Sequence, residues 1–159
     1  GPDDQENGKD PFQAWKTEQA RQAFLAGFRE ADALFYYGHS RGGGGPDFGP
    51  PKLDPESRVD FAWYRAHKSG RKELAEAIAG SPALPKLMGL YSCVSGELLP
   101  ELPNTRATAW VTFDRLIYFA DALESMQLTL SAMLSMQCPE SLKGDLRNAN
   151  PHSRLTGFF

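Results

Sequence analysis

Cysteine is scarce in this chain of 159 residues: Cys93 and Cys138 are its only two. Two cysteines make no disulfide framework, although one bridge between them is compatible with the sequence. Long apolar runs are missing as well, and none approaches the roughly 20 residues that cross a bilayer. Positive charge is in deficit, with 17 Lys and Arg against 20 Asp and Glu for a net charge of -3. The basic residues are scattered, so there is no electrostatic basis for holding nucleic acid or an anionic membrane. No Cys/His spacing suits zinc and no acidic series forms a calcium loop, so no metal or cofactor is expected. No internal repeat is found. The opening "GPDDQENGKDP" has neither a charged n-region nor an apolar h-region. It therefore reads as a leader or tag remnant rather than a signal peptide, and no compartment is assigned.

What is there suits one domain with a real core, at 41% hydrophobic and 11% aromatic residues. We expect a disordered leader over 1–10 and a single domain over 11–159. Phe12, Trp15, Ala20, Phe24, Leu25 and Phe28 recur at helical spacing, and their aromatics read as core or as a seam to another chain. "ALFYY" follows as a short buried strand closed by Gly38. The stretch "SRGGGGPDFGPPKLDP" holds five Gly and four Pro and can form no regular element. A loop of that length in a small domain is more often functional than idle. Asp54-Pro55 predicts a helix start, with a break at Gly70. "KLMGLYSC" and "ATAWVTF" read as further strands. "RLIYFADALESMQLTLSAMLSMQ" has apolar residues on more than one face, which predicts a well-buried helix stopped by Pro139. The tail reads as loop, with Phe158 and Phe159 able to dock. The alternation implies an α/β fold, a three-layer sandwich around a largely parallel sheet.

Two neighbours compete for the chemistry. Gly38-His39-Ser40-Arg41-Gly42 matches the G-x-S-x-G string of a serine nucleophile elbow. That elbow needs a helix directly after the serine, and here three glycines and Pro46 follow instead. Repeated glycine entropy and proline oppose a helix there. The glycines also lack the Gly-Lys-Ser/Thr end of a phosphate loop, and read as a mobile flap. His39 has a better partner. "LYSCVSG" puts Cys93 where a second apolar strand gives way to a turn. Parallel strands end on one side of a sheet, so His39 and Cys93 emerge at a shared edge, the place where ligand sites of open α/β sheets form. An imidazole there activates the thiol for attack on a carbonyl carbon, and backbone N–H groups at Ser40 and Cys93 are placed to hold an oxyanion. Cys138, by contrast, reads as a small buried hydrophobe, and His67 and His152 as solvent-facing.

"LFYYGHS" resembles the strand and His motif of the caspase/metacaspase superfamily of cysteine peptidases, and "LYSCVSG" is similar to the metacaspase and legumain cysteine motif. "ATAWVTFDRLIYF" with its following helix resembles the small-subunit strand whose end lines the substrate groove. The resemblance implies a caspase-like endopeptidase acting on a polypeptide substrate, with His39 as base, Cys93 as nucleophile, and Thr112, Phe113 and Asp114 as groove residues. Three departures qualify it. The family has a strand, a helix and a strand before the His motif, where this chain has room for a helix only. A second polypeptide fragment then completes the sheet, as after proteolytic processing, or the domain is truncated or degenerate. Ser40 stands where the family usually has glycine. Tyr91 occupies the place of the acidic residue that helps metacaspases select basic substrates, leaving Asp114 and Glu97 as replacements. The alternatives are a catalytically incomplete interaction or regulatory module, and a serine hydrolase using Ser40.

Overall fold

Three short runs of aliphatic and aromatic residues become the parallel strands of the protein. The computed structural model describes residues 10–43, 45–103, 105 and 108–157. The expected leader over 1–10 therefore lies almost wholly outside the described residues, as do Gly44, Phe158 and Phe159. The strands are β1 (Ala33–Tyr37), β2 (Leu87–Tyr91), β3 (Ala109–Phe113) and β4 (Ser153–Thr156), in the order β1-β2-β3-β4. The first three run parallel, and β4 pairs antiparallel to β3. The helices are α1 (Gln13–Glu30), α2 (Phe61–His67), α3 (Ser69–Ala79), α4 (Phe119–Leu134) and α5 (Pro139–Ala149). The chain is thus an α/β protein with a four-stranded, mostly parallel open sheet.

Period-two alternation decides which layer each strand residue enters. Tyr36, Met88, Leu90 and Trp110 join Phe24 and Phe28 of α1 and Leu74 and Ile78 of α3 in one core. Leu87, Tyr91, Ala109, Val111 and Phe113 join Ala122 and Ala132 of α4 and Leu142 and Leu146 of α5 in the other. Gly89 sits mid-strand because a Cβ there meets the Tyr91 ring at 2.3 Å and the Phe35 ring at 2.9 Å. Among the described residues β1 is an edge strand, and a groove of about 630 Å³ runs between it and α1.

Several boundaries differ from expectation for identifiable reasons. The helix predicted from Asp54 begins at Phe61, where the Asp60 carboxylate accepts the Trp63 N–H at 2.8 Å. Asp54 instead accepts the Glu56 and Arg58 N–H groups, closing a turn beneath the Leu53–Val59 bridge. The helical break falls at Lys68, in left-handed conformation with φ 47, rather than at Gly70. Pro139 does not only stop a helix; it opens α5 in the first turn, where its missing N–H costs nothing. The tail expected as loop forms β4, held by its ladder to β3. Of the aromatics expected at helical spacing here, Phe24 and Phe28 are buried in α1, while Phe12, which precedes it, and Trp15 are exposed. Helix α4, expected to be well buried, leaves Phe119, Leu123, Leu130 and Met133 in solvent.

Candidate functional site at the strand ends

Tyr37 of β1 lies opposite Tyr91 of β2 in the parallel ladder, so the chain leaves both strands at one level, about 4.8 Å apart. His39 and Cys93 each stand two residues beyond that pair. Both line a cavity of about 720 Å³, together with Ser40, Arg65, Glu97 and Leu116. The two residues singled out by the sequence are thus brought together at the carboxyl edge of the sheet.

Local packing sets His39. The Tyr36 side chain folds back beneath Gly38 so that its hydroxyl reaches the His39 carbonyl at 2.7 Å. A Cβ at Gly38 would meet that hydroxyl at 2.6 Å, which explains the glycine. The Asp47 N–H lies 2.8 Å from the Tyr36 hydroxyl and 3.1 Å from the His39 carbonyl, pinning the returning loop to the strand end. The imidazole packs edge-on against Phe119, with centroids 5.0 Å apart. Burial, and then the positive charge of Arg41, lower the His39 pKa below the ordinary histidine value, against a weaker opposing pull from Asp47. The ring is therefore neutral at neutral pH, as a proton acceptor must be. Arg41 itself is ion-paired with Asp47.

Cys93 sits on a turn with stored strain, since Val94 is β-branched and has φ 54. The Val94 N–H donates to the Arg115 carbonyl at 3.0 Å. Ser95 secures the next residue: its buried hydroxyl donates to the Leu90 carbonyl at 2.7 Å and accepts the Phe113 N–H at 3.0 Å. This fastening role was invisible in the sequence, because only the folded register shows that β2 and β3 end beside Ser95. The Cys93 Sγ rests 3.6 Å from the Ile117 carbonyl, as a weak donor. Neither the Ser40 nor the Cys93 N–H donates to a backbone carbonyl of the described residues.

The other expected site residues are placed differently. The Ser40 Oγ is buried with no hydrogen-bond partner among the described residues. A 3₁₀ turn over Arg41–Gly43, with Gly42 and Gly43 at positive φ, follows it instead of the helix an elbow needs. Gly45 presses on the α3 backbone, where a Cβ would lie 2.5 Å from the Arg71 nitrogen. Buried Arg71 donates to the Gly43 carbonyl at 3.0 Å and pairs with Glu101. The glycine run is therefore anchored at these positions by close backbone approach, rather than forming a free flap.

Tyr91, Thr112 and Phe113 are fully buried. They do not line the cavity, and β4 covers the far side of β3, with Thr112 opposite Arg154 and Phe113 opposite Ser153. A substrate has no open strand edge to meet there. Asp114 is exposed and ion-paired with Arg154, so Glu97 is the acidic residue at the cavity. Cys138 is exposed rather than buried, and both cysteines are free thiols. His67 is exposed and stacked on Trp63, whereas His152 is half-buried. Among the described residues no cluster of three or more His, Cys, Asp or Glu is placed to hold a metal, and no helix is long and apolar enough to cross a membrane. Compared with protein-family models, with curated proteins and with solved structures, the chain finds no match.

Proposed function

We propose that the chain is a caspase-like cysteine endopeptidase in which Cys93 is the nucleophile and His39 the general base. The observation that carries this reading is the shared cavity of His39 and Cys93 at the in-register ends of adjacent parallel strands. The imidazole takes the thiol proton as sulfur attacks the scissile carbonyl carbon. The Ser40 and Cys93 N–H groups hold the oxyanion. Collapse breaks the C–N bond, and the imidazolium gives its proton to the leaving amine, leaving an acyl thioester. Water, deprotonated by the same ring, then breaks the C–S bond and restores the thiol. The open edge of β1 supports a companion reading, that residues 11–159 are one fragment of a processed enzyme whose sheet a second polypeptide completes.

One observation favours the alternative of a catalytically incomplete interaction module: the thiol is turned to the Ile117 carbonyl. A peptidyl acyloxymethyl ketone, read by intact mass and peptide mapping, decides between them. Modification is expected in the parent protein and in Cys138→Ala, absent in Cys93→Ala, and slowed about 10²-fold in His39→Ala. Modification that persists without Cys93 sinks the peptidase reading. A parent protein that the probe leaves unmodified favours the module.

A further inference from the structure

The walls around the Cys93 thiol are apolar, and the charges beside it cancel. Leu116 is fixed near the sulfur by its two neighbours. The Val94 N–H donates to the Arg115 carbonyl at 3.0 Å, and the Cys93 Sγ rests 3.6 Å from the Ile117 carbonyl. Leu116 is nonetheless 79% exposed, and it lines the cavity with Pro51, Val59, Phe61 and Val94. Phe61 is 48% exposed although it opens α2. The start of that helix is pinned by the Asp60 carboxylate on the Trp63 N–H and by the Asp60 N–H on the Lys52 carbonyl, each at 2.8 Å. Both large side chains are thus held in water by fastened backbone. Apolar groups left in water around a concave site mark a place where a ligand completes the burial.

The charges decide what that ligand carries. Arg41 is largely buried and spends its charge on Asp47. Arg65 and Glu97 line the cavity, are exposed and are opposite in sign. His39 is neutral at neutral pH. A charged group entering this space gives up water and meets no buried, uncommitted counter-ion, so its desolvation is not repaid. An apolar group meets no such penalty and covers Leu116 and Phe61.

We propose that the cavity takes the side chain of the substrate residue whose carbonyl Cys93 attacks, and selects a large apolar one, leucyl or phenylalanyl, over a charged one. The inference rests on the peptidase reading of Cys93 and His39. That residue's Cβ is two bonds from the attacked carbon, so its side chain enters the space directly beside the thiol, where Leu116 and Val94 stand. About 720 Å³ holds a phenyl group with its flanking main chain. Glu97, offset by Arg65, selects no basic side chain.

The test compares three peptidyl acyloxymethyl ketones that differ only in the residue bearing the ketone: phenylalanine, lysine or aspartate. Intact mass follows the second-order rate of Cys93 modification. The phenylalanyl probe is expected to react about 10- to 100-fold faster than either charged one, the range that burial of one large apolar side chain supplies. Leu116→Asp lowers the phenylalanyl-to-lysyl ratio at least about 10-fold. Leu134→Asp, the same change at an equally exposed leucine ending α4, leaves the ratio unchanged. A ratio is indifferent to the fraction of folded protein, because both probes report on the same molecules. A lysyl or aspartyl probe that matches or outpaces the phenylalanyl one overturns the inference and leaves the peptidase reading standing, as does a ratio unmoved by Leu116→Asp. A Cys93 that none of the three modifies overturns both.

Discussion

Removing one oxygen, in Tyr36→Phe, tests how the fold holds His39. The Tyr36 hydroxyl lies 2.7 Å from the His39 carbonyl, 2.9 Å from the Asp47 carbonyl and 2.8 Å from the Asp47 N–H. A hydroxyl donates once, so it serves one of the carbonyls and accepts the amide. Phenylalanine keeps the ring packing against Phe24 and Phe48 but leaves a half-buried carbonyl without its donor. The Asp47 N–H keeps its longer bond to the His39 carbonyl, so the loss amounts to one unsatisfied group and one weakened bond. At ~1–3 kcal/mol for a buried group left unpaired, the substitution costs about 2 kcal/mol. For a domain of this size that lowers the melting temperature by about 4–8 °C. The strand-end loop loosens with it, and His39 gains water. Urea denaturation gives the first quantity, and an NMR titration of the His39 ring gives the second, as a pKa moving up towards the ordinary value. A stability change under about 0.5 kcal/mol, the range of neutral surface substitutions, with an unmoved His39 titration, refutes this account.

The His39 shift itself has a pH signature. Its folded-state pKa is lowered, so below the ordinary value near 6.5 the unfolded chain binds the proton first and stability falls as pH drops through the folded value. His39→Gln removes that acid-side slope from a stability-against-pH series and leaves stability above neutrality unchanged in slope; an identical slope in both proteins contradicts it. Two glycine substitutions move stability in opposite directions. Gly89→Ala forces apart the Phe35–Tyr91 ring pair, whose centroids are 5.7 Å apart, and costs about 1–3 kcal/mol in denaturation. Gly144→Ala meets nothing within 4 Å on the exposed face of α5 and gains about 0.5–1 kcal/mol; a loss there contradicts the packing described for α5.

The parallel sheet was legible because "ALFYY", "KLMGLYSC" and "ATAWVTF" are short apolar runs bounded by breakers, and strand identity there is a local property. The same locality put His39 and Cys93 at strand ends. What stayed hidden depends on neighbours distant in sequence. "SRLT" has no apolar run of its own and is a strand only because β3 offers it an edge. Asp54-Pro55 reads as the helix start in sequence, but the Leu53–Val59 bridge claims that stretch and the helix is capped by Asp60 instead. The groove assignments at Thr112 and Phe113 fail to reach the cavity for the related reason that β4 occupies the edge they were to offer. Ser95 and Arg71 carry no signal in the sequence, because their roles depend on Leu90, Phe113, Gly43 and Glu101, which only the fold brings to them.

Under the proposed chemistry, the lowered pKa of His39 also selects between two ways of activating a thiol. A permanent thiolate–imidazolium pair needs a histidine whose charged form is favoured. Here burial and Arg41 both disfavour the imidazolium, so the ring is a poor standing counter-ion and a good acceptor at the moment of attack. The resting contact of Sγ with the Ile117 carbonyl fits that second mode. It is a weak S–H donor bond, so little is lost when the thiol gives it up. Substrate entering the cavity between Arg65, Glu97 and Leu116 displaces water from the same space, which disfavours charge on the ring further until the oxyanion forms to balance it. The two N–H groups at Ser40 and Cys93 then become the stabilising element.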